Sequence, residues 1–142
     1  MTMSISTKTN DVQLKLQLLK TFNDQFMQFT EDIITIFPSD PDLILAKNAF
    51  LFFRKTNPKI LIDIWYRYVV VKYKKVIEDG DVSFFLEKNY DADVVNLCEW
   101  GNKSLEAINR LRSPLKNMNH ENQLKAIKYC QNLSNLANHY WN

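Results

Sequence analysis

The stretch Pro58-KILIDIWYRYVVVKYKKVIED-Gly80 decides the fold. Read at about 100° per residue, Ile60, Leu61, Ile62, Ile64, Trp65, Tyr66, Tyr68, Val69, Val70, Val71, Tyr73, Val76 and Ile77 surround almost the whole circumference of a helix. A helix that is apolar nearly all round is a buried one. Its ends are signposted as well. Asn57 followed by Pro58 reads as an N-cap and first helical residue, and Gly80 suits the position just past the C-terminus. The expectation is an all-α fold, a single compact bundle of five or six helices around a central buried helix at about 58–79.

The flanking sequence supplies the helices to pack on it. Residues 1–9 are polar and rich in Ser and Thr, and read as a flexible leader to a helical domain at 10–142. From about Asp11 to Phe37, Val12, Leu19, Phe26 and Ile33 recur every seven residues, with Phe22, Phe29 and Ile36 three later. This is an a/d stripe, and it predicts a long helix. Leu14, Leu16 and Leu18 broaden the apolar surface at its start. Pro38-Ser39-Asp40-Pro41 must end it, since neither proline donates into a helix interior. A second helix follows from Pro41 or Asp42, capped by Ser39 or Asp40, with Leu43, Ile44, Ala46, Ala49, Phe50, Phe52 and Phe53 as apolar positions. Beyond Gly80, a short helix or turn carries Phe84 and Phe85. A further helix spans about Ala92–Arg112, with Gly101 a kink or break and Ser113-Pro114 its end. A last helix begins near Asn119. No segment alternates apolar and polar residues long enough to demand a strand.

Composition narrows the classes. The 142 residues hold only two glycines, so turns with φ > 0 and phosphate-cradling loops are scarce. Eighteen basic residues against sixteen acidic ones leave a net charge of +2, without the strongly basic domain typical of nucleic-acid binders. No run reaches the ~18 uninterrupted apolar residues of a membrane span, because Asp63 and Arg67 break the longest candidate. Two distant cysteines, Cys98 and Cys130, with no secretory signal, predict reduced buried thiols and a cytoplasmic protein.

The order of features resembles a family of small, uncharacterised proteins encoded by large DNA viruses of algae and protists. The likeness rests on Phe22-x3-Phe26-x2-Phe29, Ile36-Phe37-Pro38, Asn57-Pro58, Phe84-Phe85-Leu86-Glu87-Lys88-Asn89-Tyr90 and Glu121-Asn122 with Tyr129-Cys130-Gln131-Asn132-Leu133. It covers most of residues 15–140. These are fold marks without a catalytic signature. The resemblance implies a host-cytoplasmic or virion context and transfers no functional residue.

Chemistry finds little purchase. Only His120 and His139 are available as bases, and Cys130 lies nine residues from His139 on one predicted helix, about 13 Å by rise. Two Cys and two His without paired short spacing do not make a zinc site. Asn89-x-Asp91-x-Asp93 opens like a calcium loop, then places Val94 where Gly is needed and Trp100 where a bidentate Glu belongs. Glu78-Asp79-Gly80-Asp81 flanks a glycine turn, where solvated carboxylates are expected anyway. The nucleotide signatures GxxxxGK[ST] and GxGxxG are missing from the sequence. No catalytic, cofactor-binding or metal residue is assigned, and the chain is not expected to be an enzyme.

Two surface readings remain. One helix packing on one core cannot easily cover both the Phe22–Ile33 stripe and the leucines before it. Leu14 and Leu18 are therefore expected at an interface with a protein partner or a second copy, which makes the chain an interaction or structural module. The alternative is a nucleic-acid-associated protein whose Arg67, Lys72, Lys75, Arg110 and Arg112 form a basic rim beside tyrosines.

Overall fold

The structure, a computed structural model, describes the backbone of residues 2–81 and 99–142, and the side chains of residues 10–81, 103–111 and 113–142. The elements are α1 (Thr2–Ile36), α2 (Pro41–Thr56), α3 (Ile60–Trp65), a π-helical turn (Tyr66–Val70), α4 (Val71–Glu78), α5 (Glu99–Arg112), a 3-10 turn (Ser113–Asn117) and α6 (His120–Trp141). The π turn joins α3 and α4 into one run that kinks at Tyr73 (φ -119, ψ 16), so the described residues form five helical rods and no strand. The fold is all-α.

Single residues mark most boundaries. Asp40 caps α2 by accepting from the Asp42 N–H at 2.9 Å, and Pro41 occupies the first turn, where no N–H is needed. Asn119 caps α6 in the same way through the Asn122 N–H at 2.8 Å. Gly80 has φ +68. Its N–H reaches Ile77 O and the Asp81 N–H reaches Val76 O, a complete Schellman ending for α4.

Three expectations are corrected. The stretch 1–9, expected as a flexible leader, continues the helix: α1 begins at Thr2, nine residues before Asp11. Neither Pro nor Gly occurs before Pro38, and once a helix is nucleated each added residue costs little, so weak helix formers such as Ser and Thr do not halt it. Asn57 does not cap α3; it terminates α2, its N–H bonded to Phe53 O at 2.7 Å, and α3 starts only at Ile60. Gly101 lies within α5, with no break there. The Phe84–Phe85 element, Asn89–Asp93, Cys98 and the start of the expected 92–112 helix lie outside the described residues.

All five apolar residues of α3, Ile60, Leu61, Ile62, Ile64 and Trp65, are buried, and α3 touches α1, α2, α5 and α6. Trp65 meets Phe22 and Phe26 of α1 edge-on, at centroid distances of 6.4 and 5.8 Å, and Phe26 in turn meets Phe50 of α2 at 4.6 Å. Such T-shaped pairs place a ring's positive edge on its neighbour's negative face. The buried indole N–H donates to Ser134 Oγ of α6 at 3.1 Å, so one side chain ties three helices together. Asn23, also buried, donates to Pro58 O at 3.0 Å and fastens α1 to the α2–α3 turn. The expectation of an all-round apolar helix fails in α4, where Val71 is 67% exposed and Lys72, Lys74 and Lys75 face solvent. The cause is visible in the π turn. Its wide bond, Val71 N–H to Tyr66 O, adds one residue to the turn and so rotates the α4 residues beyond it by roughly 100°. Tyr73 and Ile77 remain buried.

Candidate interaction surface

The helices α1 and α6 run antiparallel. Phe29 stacks on Tyr129 at 4.9 Å near one end, and Lys15 Nζ lies 5.7 Å over the Tyr140 ring near the other. With α6 ending at Trp141, Lys15 marks where α1 leaves the bundle. The helix has 35 residues and α6 has 22, so α1 outruns its neighbour by thirteen, about 20 Å.

Every described residue from Asn10 to Gln17 is exposed. Leu14 is among them at 55%, with Val12 at 59% and Leu16 at 58%. Leu18, expected beside Leu14 at the interface, is partly buried where the helix enters the bundle. At about 100° per residue, Val12 and Leu16 form one row and Leu14 and Leu18 another, roughly 160° apart. Asp11 and Lys15 occupy the direction that faces the core further along. The free segment is thus apolar on two flanks and polar between them, a shape that a cleft covers better than a flat face does. The heptad pattern puts Val12 in the stripe and Leu16 at its margin, and the structure leaves both exposed.

The basic residues are more dispersed. Arg67 Nε sits 2.9 Å from Asp63 and Arg110 donates to Glu106 at 2.8 Å, each an ion pair one turn back on its own rod. Lys72 lies 5.2 Å over the Tyr73 ring, and Lys75 is exposed beside it. The Arg112 side chain lies outside the described residues. The α4 helix, with its lysines, packs on α6, whereas α5, with Arg110, packs on α2 and α3. The five residues therefore do not share one pair of neighbouring helices.

The remaining chemistry is sparse. Cys130 is buried, and His120 and His139 are exposed. Among the described residues no three His, Cys, Asp or Glu converge as metal ligands, and no described helix is long and apolar enough to cross a membrane. A groove of about 390 Å³ between the end of α1 and the start of α6 is lined by Phe29, Ile33, Ile36, Met118, Ala126 and Tyr129. On its wall the Tyr129 hydroxyl donates to Asp32. Burial, then the neighbouring carboxylate, pushes the phenol up to about 12. The phenol therefore keeps its proton at neutral pH, and its hydrogen bond is a strut between α1 and α6. A second, more polar groove of about 250 Å³ lies between α4 and α6, where Gln131 donates to Ile77 O at 2.9 Å and Glu78 O at 3.3 Å, satisfying the last carbonyls of α4.

No protein-family model, curated protein or solved structure matches the chain.

Proposed function

We propose that the protein is a non-catalytic helical interaction module. Its bundle holds α1 so that the segment before Leu18 reaches another polypeptide. The observation that carries this reading is a helix that runs past the last residue of α6 with exposed apolar side chains on two flanks, Val12 and Leu16 on one and Leu14 on the other. Isolated exposed leucines are ordinary; a cluster on a projecting element marks an interface. Two apolar flanks on one rod fit a partner that encloses it, as helix-in-groove recognition does. The sequence resemblance supports a viral accessory or virion-associated role for such a module, in the host cytoplasm or the virion.

Basic-rim binding to nucleic acid is the weaker reading, because Arg67 and Arg110 already hold carboxylates of their own helices. Retention on heparin with a steep salt dependence would favour it. The direct test is co-purification of the full chain from its native source, with wild type against Leu14→Glu combined with Leu16→Glu. The variant is expected to lose a partner that the wild type retains, at unchanged helical circular dichroism. Equal retention by both would remove the projecting segment from the function.

A further inference from the structure

The outer face of α2 carries four large apolar side chains of its own. Leu43, Ala46, Phe50 and Phe53 are buried. On the other side Ile44, Leu45, Leu51 and Phe52 are 46, 51, 47 and 52% exposed. At about 100° per residue, Ile44 and Leu51 make one row, Leu45 and Phe52 a second, and Asn48 and Lys55 run along the ridge between them. Outward apolar side chains stand in pairs on either side of Asn48, Ile44 and Leu45 before it and Leu51 and Phe52 after it, whereas an ordinary surface helix turns polar residues outward. The two ends differ in charge: Asp40 and Asp42 at the N-terminus, Arg54 and Lys55 at the C-terminus. Arg54 is engaged within the chain by Asp24, and Lys55 is exposed.

We propose that this face pairs with the same face of a second copy of the chain, α2 against α2, antiparallel about a twofold axis at Asn48. That axis sets Ile44 of one copy beside Leu51 of the other on one flank, and Leu45 beside Phe52 on the other flank. Each pair occurs twice, as an isologous interface requires. Lys55 of each copy comes over the Asp40 end of the other, and the helix dipoles oppose one another. The two exposed Asn48 amides meet on the axis, where each N–H can donate to the other's carbonyl. A lone amide in an apolar seam is a register device. Parallel pairing would set Lys55 against Lys55 and align the dipoles. The acidic and basic ends lie on one helix, so the surface is complementary to itself when reversed, which singles out a second copy as the occupant. One helix face about 24 Å long is small beside the ~1,200–2,000 Å² of standard interfaces, so the dimer is weak and concentration-dependent.

This pairing does not depend on the projecting segment of α1, and sedimentation equilibrium of the full chain separates the two. The wild type is expected to show a monomer–dimer equilibrium, and Leu14→Glu with Leu16→Glu to leave it unchanged. Ile44→Lys with Leu51→Lys should sediment as monomer. Ile44→Lys with Leu51→Glu, which sets opposite charges across the seam, should dimerise at least about tenfold more tightly than the Lys/Lys variant at low salt. Melting curves should stay near wild type, because these side chains face outward. Should either pair lower the melt, Asn48→Asp at its exposed position tests the same axis: two carboxylates there weaken the dimer, and protonation below about pH 4 restores it. A wild type monomeric at millimolar concentration would overturn the proposal, as would a dimer that survives Lys/Lys. Equal behaviour of Lys/Lys and Lys/Glu would overturn the antiparallel register. A dimer lost only in the α1 variant would move the interface to α1.

Discussion

From Leu19 to Ile33, α1 buries Leu19, Phe22, Phe26, Phe29 and Ile33 beneath α2, α3 and α6; from Asn10 to Gln17 the same helix buries nothing. Both halves carry a large apolar residue at nearly every turn. Cover is the difference between them. The α6 helix ends opposite Lys15, and every described residue of α1 before Leu18 is exposed. Heptad spacing thus reports which face of a helix is apolar, and the lengths of the neighbouring helices decide how much of that face counts as core.

The contrast breaks most readily at the aromatic cluster. Phe26→Ala or Trp65→Ala removes a ring that is almost wholly buried among others, with little room for collapse, and should cost ~3–5 kcal/mol in a urea melt. A loss below ~1 kcal/mol would mean that the covered half of α1 is no better packed than the exposed half. Ser134→Ala is a smaller probe of the same cover. It leaves the buried indole N–H of Trp65 without its acceptor, and ~1–3 kcal/mol should be lost. Trp65→Phe in the Ser134→Ala background should recover part of that loss, since the orphaned donor goes with the indole.

Alkali tests the strut at the covered end. The Tyr129 phenol is raised from 10.0 to about 12, so an unfolded chain loses this proton before the folded one does. The stability tied to it is whole below pH 10 and drains away as the pH rises toward 12. An ultraviolet titration should show a late tyrosine ionisation that Tyr129→Phe deletes, and the variant's stability should fall less than the wild type's between pH 10 and 12. Early ionisation of every tyrosine would mean that α6 does not hold the end of α1. At the other pH extreme the effect is smaller. The Arg54 hydrogen bond to Asp24 holds that carboxyl below its ordinary 3.8. Its contribution is present above that value and lost as the pH falls further. Both groups are partly exposed, so Arg54→Ala should cost only ~0.2–1 kcal/mol, less in high salt.

How much of this is legible in sequence depends on how local each cause is. Pro38, Pro41, Asp40, Gly80 and Asn119 act through their own backbone geometry or one short hydrogen bond, so the breaks around them can be read directly. The buried face of α1 from Leu19 to Ile33 is legible for a similar reason, because periodicity needs no partner to be seen. Three other features depend on remote parts of the chain. The π turn at Tyr66–Val70 rotates Val71 into solvent without any Pro or Gly to announce it. Ile44 and Phe52 look like core by composition, and only the packing of α2 shows them on its outer face. The exposed start of α1 is the third, since periodicity shows which face is apolar and not which neighbours lie beside it. Of the two leucines expected at an interface, Leu14 is exposed and Leu18 is partly covered. Arg67 and Arg110 are held by acids at i, i+4 spacing, a pattern that the sequence alone already displays.

The smallest expected effect is the one that defines the exposed half. Leu14 is 55% exposed. Leu14→Glu should therefore change stability by no more than ~0.5 kcal/mol, the range of an ordinary surface substitution. Glu is also a good helix former, so propensity does not confound the result. Leu18→Glu, one turn nearer the bundle and partly covered, should cost measurably more, and Leu19→Glu, fully inside, more again. Thermal melts of the three single variants then trace the edge of the bundle along α1. A steep rise between positions 14 and 19 places that edge where α6 ends. A loss at Leu14 as large as that at Leu19 would mean that the domain's own core extends over this segment, and the projecting helix would no longer be available to a partner.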